Sequence, residues 1–242
     1  MEINKVYNED CIKGMERIGD KSIDFILTDL PYGLTSCKWD AVIPFKLLWE
    51  QYNRIIKDNG AIALFSIQPF TTKLINSNLK HFRYCWYWQK NNKTGSTFAK
   101  VQPMRCIEEI CVFYRHAPTY NPQGLKKLEK PKIIDSKKHR SNVYKWRGKE
   151  KLIIQKYTNY PVHLLQFSNE AVNNKNRLHP TQKPLALCEY LIKTYTNEGD
   201  TVLDSCAGSG TTLLAAKNTG RQYIGFELDT GYYNITVERL SA

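Results

Sequence analysis

The stretch that decides the fold is Val202-Leu203-Asp204-Ser205-Cys206-Ala207-Gly208-Ser209-Gly210-Thr211-Thr212, where an apolar run passes through a glycine-containing turn into a helical pattern. Gly208 and Gly210 allow the backbone to approach a ligand, and the first N–H groups of the following helix point toward it. The spacing departs from the Gly-x-Gly-x-x-Gly dinucleotide fingerprint, because Leu213 stands three residues after Gly210. The stretch also lacks the lysine of a phosphate-binding loop. It therefore predicts a strand, turn and helix that bind something other than a pyrophosphate.

A second strand follows this unit along the chain. Thr211 to Lys217 has a helical pattern that Gly220 can end, and Tyr223 to Phe226 is strand-like. Glu227 stands at the end of that strand, where an acidic side chain can accept hydrogen bonds from both hydroxyls of a ribose. These features fit a nucleoside without phosphates better than a dinucleotide.

The N-terminal half repeats the alternation of strand and helix. Phe25 to Thr28 and Ala61 to Phe65 are short apolar runs typical of buried parallel strands. Between them, apolar residues recur with a helical period at Phe45, Leu47, Leu48, Tyr52, Ile55 and Ile56. The pattern predicts an α/β, Rossmann-like fold with a mostly parallel sheet and helices on both faces.

Asp29-Leu30-Pro31-Tyr32 follows directly after the first of these strands. Open α/β sheets place their active sites at the carboxyl ends of strands. A carboxylate beside an aromatic ring could hold a planar base, although the same residues also make an ordinary turn in which proline sets φ. The tetrapeptide taken alone leaves both interpretations open.

The net charge of +12 is concentrated in the middle of the 242-residue chain. Residues 71–105 hold seven Lys and Arg and no acid, and residues 121–183 hold fifteen against four. Clustered positive charge favours a polyanion such as nucleic acid, with a solubilising surface as the alternative. The Lys-rich, weakly periodic segment 121–176 is predicted to be an insertion in a domain formed by 1–120 and 177–242. Within it, Lys126 to Lys151 has a pattern typical of a mobile loop.

Cysteine, histidine and hydropathy patterns bear on the redox environment, on metal binding and on membrane association. Seven cysteines without a CxxC pair indicate reduced thiols, and the five histidines form no ligand cluster, so no metal is expected. The longest wholly apolar stretch near a strand, Ala61 to Phe65, is far too short to cross a bilayer. We expect a cytoplasmic protein without a membrane partner.

Several ordered motifs together resemble the S-adenosylmethionine-dependent DNA amino-methyltransferases of the permuted beta class. Asp29-Leu30-Pro31-Tyr32 resembles the family's Asp-Pro-Pro-Tyr motif, and it precedes the glycine-containing turn, as it does in that class. The other matches are Asn8-Glu9-Asp10-Cys11, Trp88-Gln89-Lys90, the strand Ile110 to Tyr114, His179-Pro180-Thr181-Gln182-Lys183-Pro184, and Gly225-Phe226-Glu227-Leu228-Asp229 with Tyr232 and Tyr233. The resemblance covers nearly the whole chain outside 121–160.

The resemblance implies a role for each matching residue. The catalytic residues are expected to be Asp29, Leu30, Pro31 and Tyr32. The expected S-adenosylmethionine site comprises Asp10, Cys11, Asp29, Thr181, Lys183, Asp204, Ser205, Cys206, Gly208, Gly210, Thr211, Glu227 and Leu228. The insertion is expected to recognise double-stranded DNA through Lys126, Lys127, Lys130, Lys137, Lys138, Arg140, Lys145, Trp146 and Arg147. Trp86, Tyr87 and Trp88 are interpreted as sheet or core aromatics rather than base-stacking residues.

The reaction implied is methylation of the N6 amine of a flipped-out adenine, because Asp rather than Ser at position 29 favours adenine by analogy. N4-cytosine methylation is the alternative within the same chemistry. RNA or protein methylation and an inactive nucleic-acid-binding module are alternatives of other classes. Ser205 and Cys206 depart from the family pattern and predict looser packing under the cofactor. The resemblance leaves open a homodimer and a cognate restriction endonuclease as further partners.

Overall fold

The computed structural model describes residues 1–34, 40–135, 152–168 and 182–241, which divide into two compact units. The larger unit is Met1–Asn121 with His163–Ala242, and the smaller is Pro122–Val162. The smaller unit is shorter than the predicted insertion at 121–176, because Leu164–Gln166 is a strand of the large sheet. Residues 169–176 lie outside the described residues.

The elements of the described residues follow one another in a mostly alternating order. They are β1 (Lys5–Asn8), α1 (Cys11–Met15), β2 (Ile23–Asp29), α2 (Phe45–Ile55), β3 (Ile56–Ser66), α3 (Phe70–Ser77), β4 (Phe82–Thr94), a 3-10 turn (Ser96–Phe98), β5 (Arg105–Phe113), β6 (Lys126–Asp135), β7 (Leu152–Thr158), β8 (Leu164–Gln166), α4 (Leu185–Tyr195), β9 (Thr201–Asp204), α5 (Thr211–Asn218), β10 (Gln222–Glu227) and α6 (Thr230–Ser241). None of these helices is long and apolar enough to span a lipid bilayer.

The large sheet has eight strands in the order β1-β10-β9-β2-β3-β5-β4-β8. Only β5 runs against its neighbours among these strands, so the sheet is mostly parallel. From β2, the chain continues outward through β3 on one side, and β9 leads to β10 on the other side. The strand order therefore reverses between β2 and β9, where open α/β sheets form a ligand crevice at the carboxyl edge.

Helices cover both faces of this sheet. Along β2, Phe25 and Leu27 pack with residues of α4 and α5, whereas Ile26 points to the other face and packs with residues of α1 and α2. This division follows from the alternation of side chains along a strand. The predicted α/β fold with helices on both faces is confirmed.

The aromatic residues of β4 belong to the core. Trp86 and Trp88 are buried, and their indole N–H groups donate to the Tyr195 hydroxyl (2.7 Å) and the Phe167 carbonyl (2.9 Å). Buried indoles usually find such a partner for the N–H. The interpretation of these two tryptophans as core residues is confirmed.

The smaller unit contains the antiparallel pair β6 and β7. The expectation of a loop was wrong for Lys126–Asp135, because these residues form β6. Ile133 and Ile134 lie opposite Ile154 and Ile153 across the pair, and β-branched residues favour the extended backbone. The partner strand lies beyond residues 136–151, so the pattern around Lys126 alone did not indicate a strand.

Candidate active site

Three acidic residues end neighbouring strands at one edge of the large sheet. Asp29 ends β2, Asp204 ends β9 and Glu227 ends β10. The three strands are parallel and adjacent in the order β10-β9-β2, so their carboxyl ends share this edge. The site predicted from separate motifs is therefore brought together where the strand order reverses.

The Asp29 carboxylate is held by two donors from different parts of the chain. The Tyr32 hydroxyl donates to Oδ1 at 2.5 Å, and the Lys183 ammonium donates to Oδ2. The Lys183 side chain is only 9% exposed. Lys183 was expected at the cofactor through the resemblance, and the structure places its ammonium directly on the Asp29 carboxylate.

Lys183 also begins a chain of alternating charges across β4 and β5. Its Nζ lies 3.6 Å from Oε2 of Glu108, and Lys90 Nζ lies 2.8 Å from Oε1 of the same carboxylate. Burial alone would lower the pKa of Lys183, but the carboxylates of Asp29 and Glu108 raise it above its ordinary value. Burial opposes ionisation of Glu108, yet Lys183 and Lys90 lower its pKa. Both groups are therefore charged at neutral pH.

Glu108 was missed by the sequence analysis. Lys90 belongs to a motif that matched the family, and Trp88 of the same motif lies opposite Glu108 in the β4–β5 pair. The available signal was a pair of adjacent acids at the start of the apolar strand that continues to Phe113. The pairing of β4 with β5, which brings Glu108 to Lys90, cannot be read from the residues next to Glu108.

A second missed residue shapes the loop after β2. The buried Asp40 carboxylate accepts the backbone N–H groups of Tyr32 (2.7 Å), Gly33 (2.8 Å) and Leu34 (2.8 Å). Gly33 has φ +67°, the left-handed region that favours glycine. Asp40 thus fixes the backbone that carries the tyrosine, and an aspartate eight positions after Tyr32 was the only sequence signal for it.

Within this loop, the Tyr32 ring packs against Phe70 with centroids 5.0 Å apart. Burial, followed by the charges of Asp29 and Glu108, raises the pKa of Tyr32 well above its ordinary value, so its hydroxyl remains a donor. Leu30 is buried and Pro31 is half-buried. All four residues of the predicted catalytic motif therefore lie at the carboxyl end of β2.

The glycine turn after β9 is held by Glu227 from the neighbouring strand. Its carboxylate accepts the N–H of Gly208 on Oε2 (2.7 Å) and the N–H of Asp229 on Oε1 (2.9 Å). Burial raises the pKa of Glu227, and these two N–H groups oppose that rise. Each carboxylate oxygen has a further lone pair, so the side chain retains the capacity to accept two hydroxyls.

Helix α6 closes the turn from the other side. Thr236 donates its hydroxyl to the Gly208 carbonyl (2.8 Å), and Arg239 donates to the Ser209 carbonyl and the Thr211 hydroxyl (both 2.9 Å). Gly208 and Gly210 have φ of +54° and +75°. A Cβ at Gly210 would lie 2.6 Å from Thr236 Cγ2. Glycine is therefore required at 210 both by backbone conformation and by the approach of α6.

The first strand and helix bring the Asn8-to-Cys11 motif to the same edge. Asn8 pairs in register with Glu227 and donates its side-chain amide to the Glu227 carbonyl at 2.8 Å. Asp10 caps α1 by accepting the Lys13 N–H at 3.1 Å. A hydrogen bond with Cys11, together with burial, raises the pKa of the Cys206 thiol well above its ordinary value. The residues expected around the cofactor thus converge here.

Asp204 and Ser205 lie beneath the turn. Asp204 accepts the Cys206 N–H at 3.1 Å, and burial raises its pKa to about 7. The Ser205 hydroxyl lies 2.6 Å from the Tyr52 hydroxyl, and its N–H donates to Thr28 Oγ1 at 3.1 Å. The looser packing expected at this position is not found at Ser205, which is buried and hydrogen-bonded.

The remaining predicted residues have different outcomes. Leu228 is 70% exposed beside Glu227. Thr181 lies outside the described residues, although Ser209 Oγ lies 3.4 Å from Gln182 Oε1. Lys126, Lys127 and Lys130 are exposed on β6. The other predicted DNA-binding residues also lie outside the described residues, namely Lys137, Lys138, Arg140, Lys145, Trp146 and Arg147.

The fold and these strand ends define an α/β enzyme with a carboxylate and a glycine turn side by side at the switch point of the sheet. The family model for DNA methylases matches residues 23–238, so the chain belongs to this family of N6/N4 amino-methyltransferases. The type II methyltransferase M.HpaI of Haemophilus parainfluenzae is 29% identical over 247 residues, which cover 96% of this chain and 73% of that protein.

Solved structures agree with the fold. The M1.HpyAVI–SAM complex is 24% identical with a TM-score of 0.64, covering 98% of this chain and 99% of that one. The cytosine-N4-specific PvuII DNA methyltransferase is 19% identical with a TM-score of 0.69, covering 97% and 85%. The fold is thus shared with a methyltransferase that carries S-adenosylmethionine and with one that acts on cytosine.

Proposed function

We propose that this chain methylates the N6 amine of an adenine flipped out of duplex DNA, with S-adenosylmethionine as the methyl donor. The observation that carries the proposal is the Asp29 carboxylate at the end of β2, beside the glycine turn between β9 and α5. The coarser activity, methylation of an amino group in DNA, follows from family membership. The choice of adenine rests on Asp rather than Ser at position 29.

The residues at the cofactor end fit S-adenosylmethionine. Glu227 has lone pairs left for two ribose hydroxyls, and the exposed Leu228 beside it offers an apolar surface for the adenine ring. The left-handed Gly208 and Gly210 keep side chains out of the turn where the ligand would lie. When bound, S-adenosylmethionine supplies a methyl group on a positively charged sulfur.

The residues at the end of β2 act on the target amine. The exocyclic amine of adenine is a poor nucleophile because its lone pair is delocalised into the ring. We infer that the Asp29 carboxylate accepts one N–H and the Leu30 carbonyl accepts the other, which localises the lone pair on nitrogen and orients it. Tyr32, fixed by Asp40 through the backbone, provides a ring against which the base stacks.

Substrate binding requires the base to leave the helix. Flipping costs a few kcal/mol of stacking and pairing, which contacts to the base and to phosphates repay. The exposed lysines of β6 in the smaller unit supply positive charge for such phosphate contacts. We propose that the smaller unit takes part in DNA recognition. The order of the motifs, with the catalytic strand first and the cofactor strands last, supports a permuted arrangement.

A labelled-methyl transfer assay on duplex DNA, RNA and protein tests the proposal, with the Asp29→Ala variant as the inactive control. We expect label in DNA alone, and base-resolution detection to find it on adenine N6. Label on cytosine N4 would show that the target base is cytosine and not adenine. Label in RNA or protein would contradict a DNA substrate, and cofactor binding without transfer to any of the three would contradict the enzymatic role.

A further inference from the structure

The Asp29 carboxylate has both oxygens engaged before a substrate binds. Oδ1 accepts the Tyr32 hydroxyl and Oδ2 accepts the Lys183 ammonium. The proposed reaction, on which this inference rests, requires one of these oxygens to accept the target N–H. Each oxygen keeps a further lone pair, but the positive charge of the ammonium on the Asp29 carboxylate weakens that carboxylate as an acceptor for the substrate amine.

Lys183 cannot withdraw from Asp29 without another partner. Its side chain is 9% exposed, and an unpaired charge in a buried position is strongly unfavourable. The face of the Phe65 ring also lies near the ammonium, 5.1 Å from Nζ to the centroid. That contact does not replace a carboxylate for a buried ammonium, so withdrawal of Lys183 from Asp29 calls for a second anion.

Glu108 provides this second anion in a prepared position. Its Oε1 is held by Lys90 at 2.8 Å, which fixes the orientation of the carboxylate. Its Oε2 is buried and accepts no hydrogen bond within the described part of the chain, and it lies 3.6 Å from Lys183 Nζ. A buried acceptor without a hydrogen bond is rare and calls for an explanation.

We propose that Glu108 is a positioning residue that accepts the Lys183 ammonium when the target amine binds Asp29. Nζ would need to move by roughly 1 Å to turn the present separation into a hydrogen bond of normal length. No proton is transferred, because the lysine stays an ammonium and both carboxylates stay ionised. The exchange frees Asp29 Oδ2 for the substrate while every buried charge keeps a partner.

The first test compares Glu108→Gln with Glu109→Gln in single-turnover methyl transfer to DNA. Glu109 is a matched control, because it is the next acid on β5 and its carboxylate contacts Thr71 and Gln68 instead of Lys183. We expect Glu108→Gln to slow transfer by about 10- to 100-fold, and Glu109→Gln to change it by less than about twofold. Dissociation constants for S-adenosylmethionine and for DNA should change by less than about threefold in both variants, as for a loss confined to the reacting complex.

The second test is a double-mutant cycle with Lys183→Gln, which removes the ammonium that has to move. In this background we expect Glu108→Gln to change the single-turnover rate by less than about twofold. An equal loss of rate in both backgrounds would show that Glu108 does not act through Lys183 and would overturn the proposal. The double variant also keeps the site neutral, so the comparison remains available if Glu108→Gln alone folds poorly.

The activity of the wild-type chain distinguishes a failure of the proposed function from a failure of the proposed Lys183 exchange. If the wild-type chain transfers no methyl group to DNA, the proposed function fails. If the wild type is active and Glu108→Gln matches Glu109→Gln in rate, only the exchange of Lys183 between Asp29 and Glu108 is wrong. A parallel loss of DNA or cofactor binding in Glu108→Gln would assign Glu108 a structural role instead.

Discussion

The two ends of the candidate site are held in place by different kinds of interaction. At the end of β2, Asp29 is fixed by the side chains of Tyr32 and Lys183, which lie 3 and 154 positions away in the sequence. At the ends of β9 and β10, the glycine turn is held by hydrogen bonds to its own backbone from Glu227 and α6. The end at β2, proposed to be catalytic, thus depends on where charges lie, whereas the end at the glycine turn, proposed to bind the cofactor, depends on backbone conformation.

Replacing Asp29 with alanine tests the catalytic end and has the largest expected effect. We expect turnover to fall by about 1000-fold or more, because the variant has no acceptor to shape the amine lone pair. Cofactor affinity should fall by less than about threefold. A turnover assay and calorimetry with S-adenosylmethionine measure the two quantities, with Asp58→Ala as the control on an exposed aspartate. Retention of more than about a tenth of wild-type turnover would remove Asp29 from the proposed role.

Replacing Glu227 with alanine tests the cofactor end. Unlike Asp29→Ala, it should weaken cofactor binding more than it slows turnover at saturating cofactor. Removing the acceptor of two ribose hydroxyls costs on the order of 1 to 3 kcal/mol, so the cofactor dissociation constant should rise by about 10- to 100-fold. The rate at saturating cofactor should recover. Calorimetry decides this, with the exposed Glu238→Ala on α6 as the control. An unchanged dissociation constant would place the ribose acceptor elsewhere, with Asp229 as the next candidate.

Asp204 should make stability depend on pH beneath the glycine turn. Burial raises its folded pKa to about 7, above the ordinary value of 3.8, so the folded protein keeps a proton that the unfolded chain loses. Stability should therefore fall as pH rises between about 4 and 7, by about 1 to 2 kcal/mol from pH 5.5 to 7. Denaturant unfolding of wild type and Asp204→Asn at several pH values measures this contribution. If the difference between the two proteins does not vary with pH, the carboxylate is ionised across the range.

Lysines of the smaller unit are proposed to bind DNA, and replacing them should have the smallest effect of these variants. Replacing Lys126, Lys127 and Lys130 together with glutamine should weaken DNA binding several-fold for all sequences. It should also lower the slope of log affinity against log salt by about 0.9 for each phosphate that the variant no longer neutralises. Cofactor affinity should not change. Fluorescence anisotropy at several salt concentrations measures both the affinity and the slope.

The matched control removes the same charge from the larger unit by replacing Lys21, Lys57 and Lys217 with glutamine. If the β6 variant binds DNA like this control, with unaltered slope, the lysines of the smaller unit are only a solvated surface. The recognition surface would then be sought in the basic segment from Lys73 to Arg105.

The elements predicted from sequence are those with strong local patterns. The strands predicted at Phe25 to Thr28 and Tyr223 to Phe226 lie inside β2 and β10, and the helix predicted at Thr211 to Lys217 is α5 within one residue. The strand β6 was missed because its apolar pairs lie opposite a partner that is distant in sequence. Asp40 and Glu108 were missed for a similar reason, since nothing in their immediate neighbours indicates what their carboxylates contact.

The sequence by itself determined the strand–turn–helix at residues 202–212, because left-handed backbone at Gly208 and Gly210 is a local demand that glycine meets. It also determined the family, through ordered motifs that include Asp29 to Tyr32. Only the tertiary structure decided that Lys183 lies between Asp29 and Glu108. The energy of charges depends on their separation and burial after folding, and neither quantity can be read from their positions along the chain.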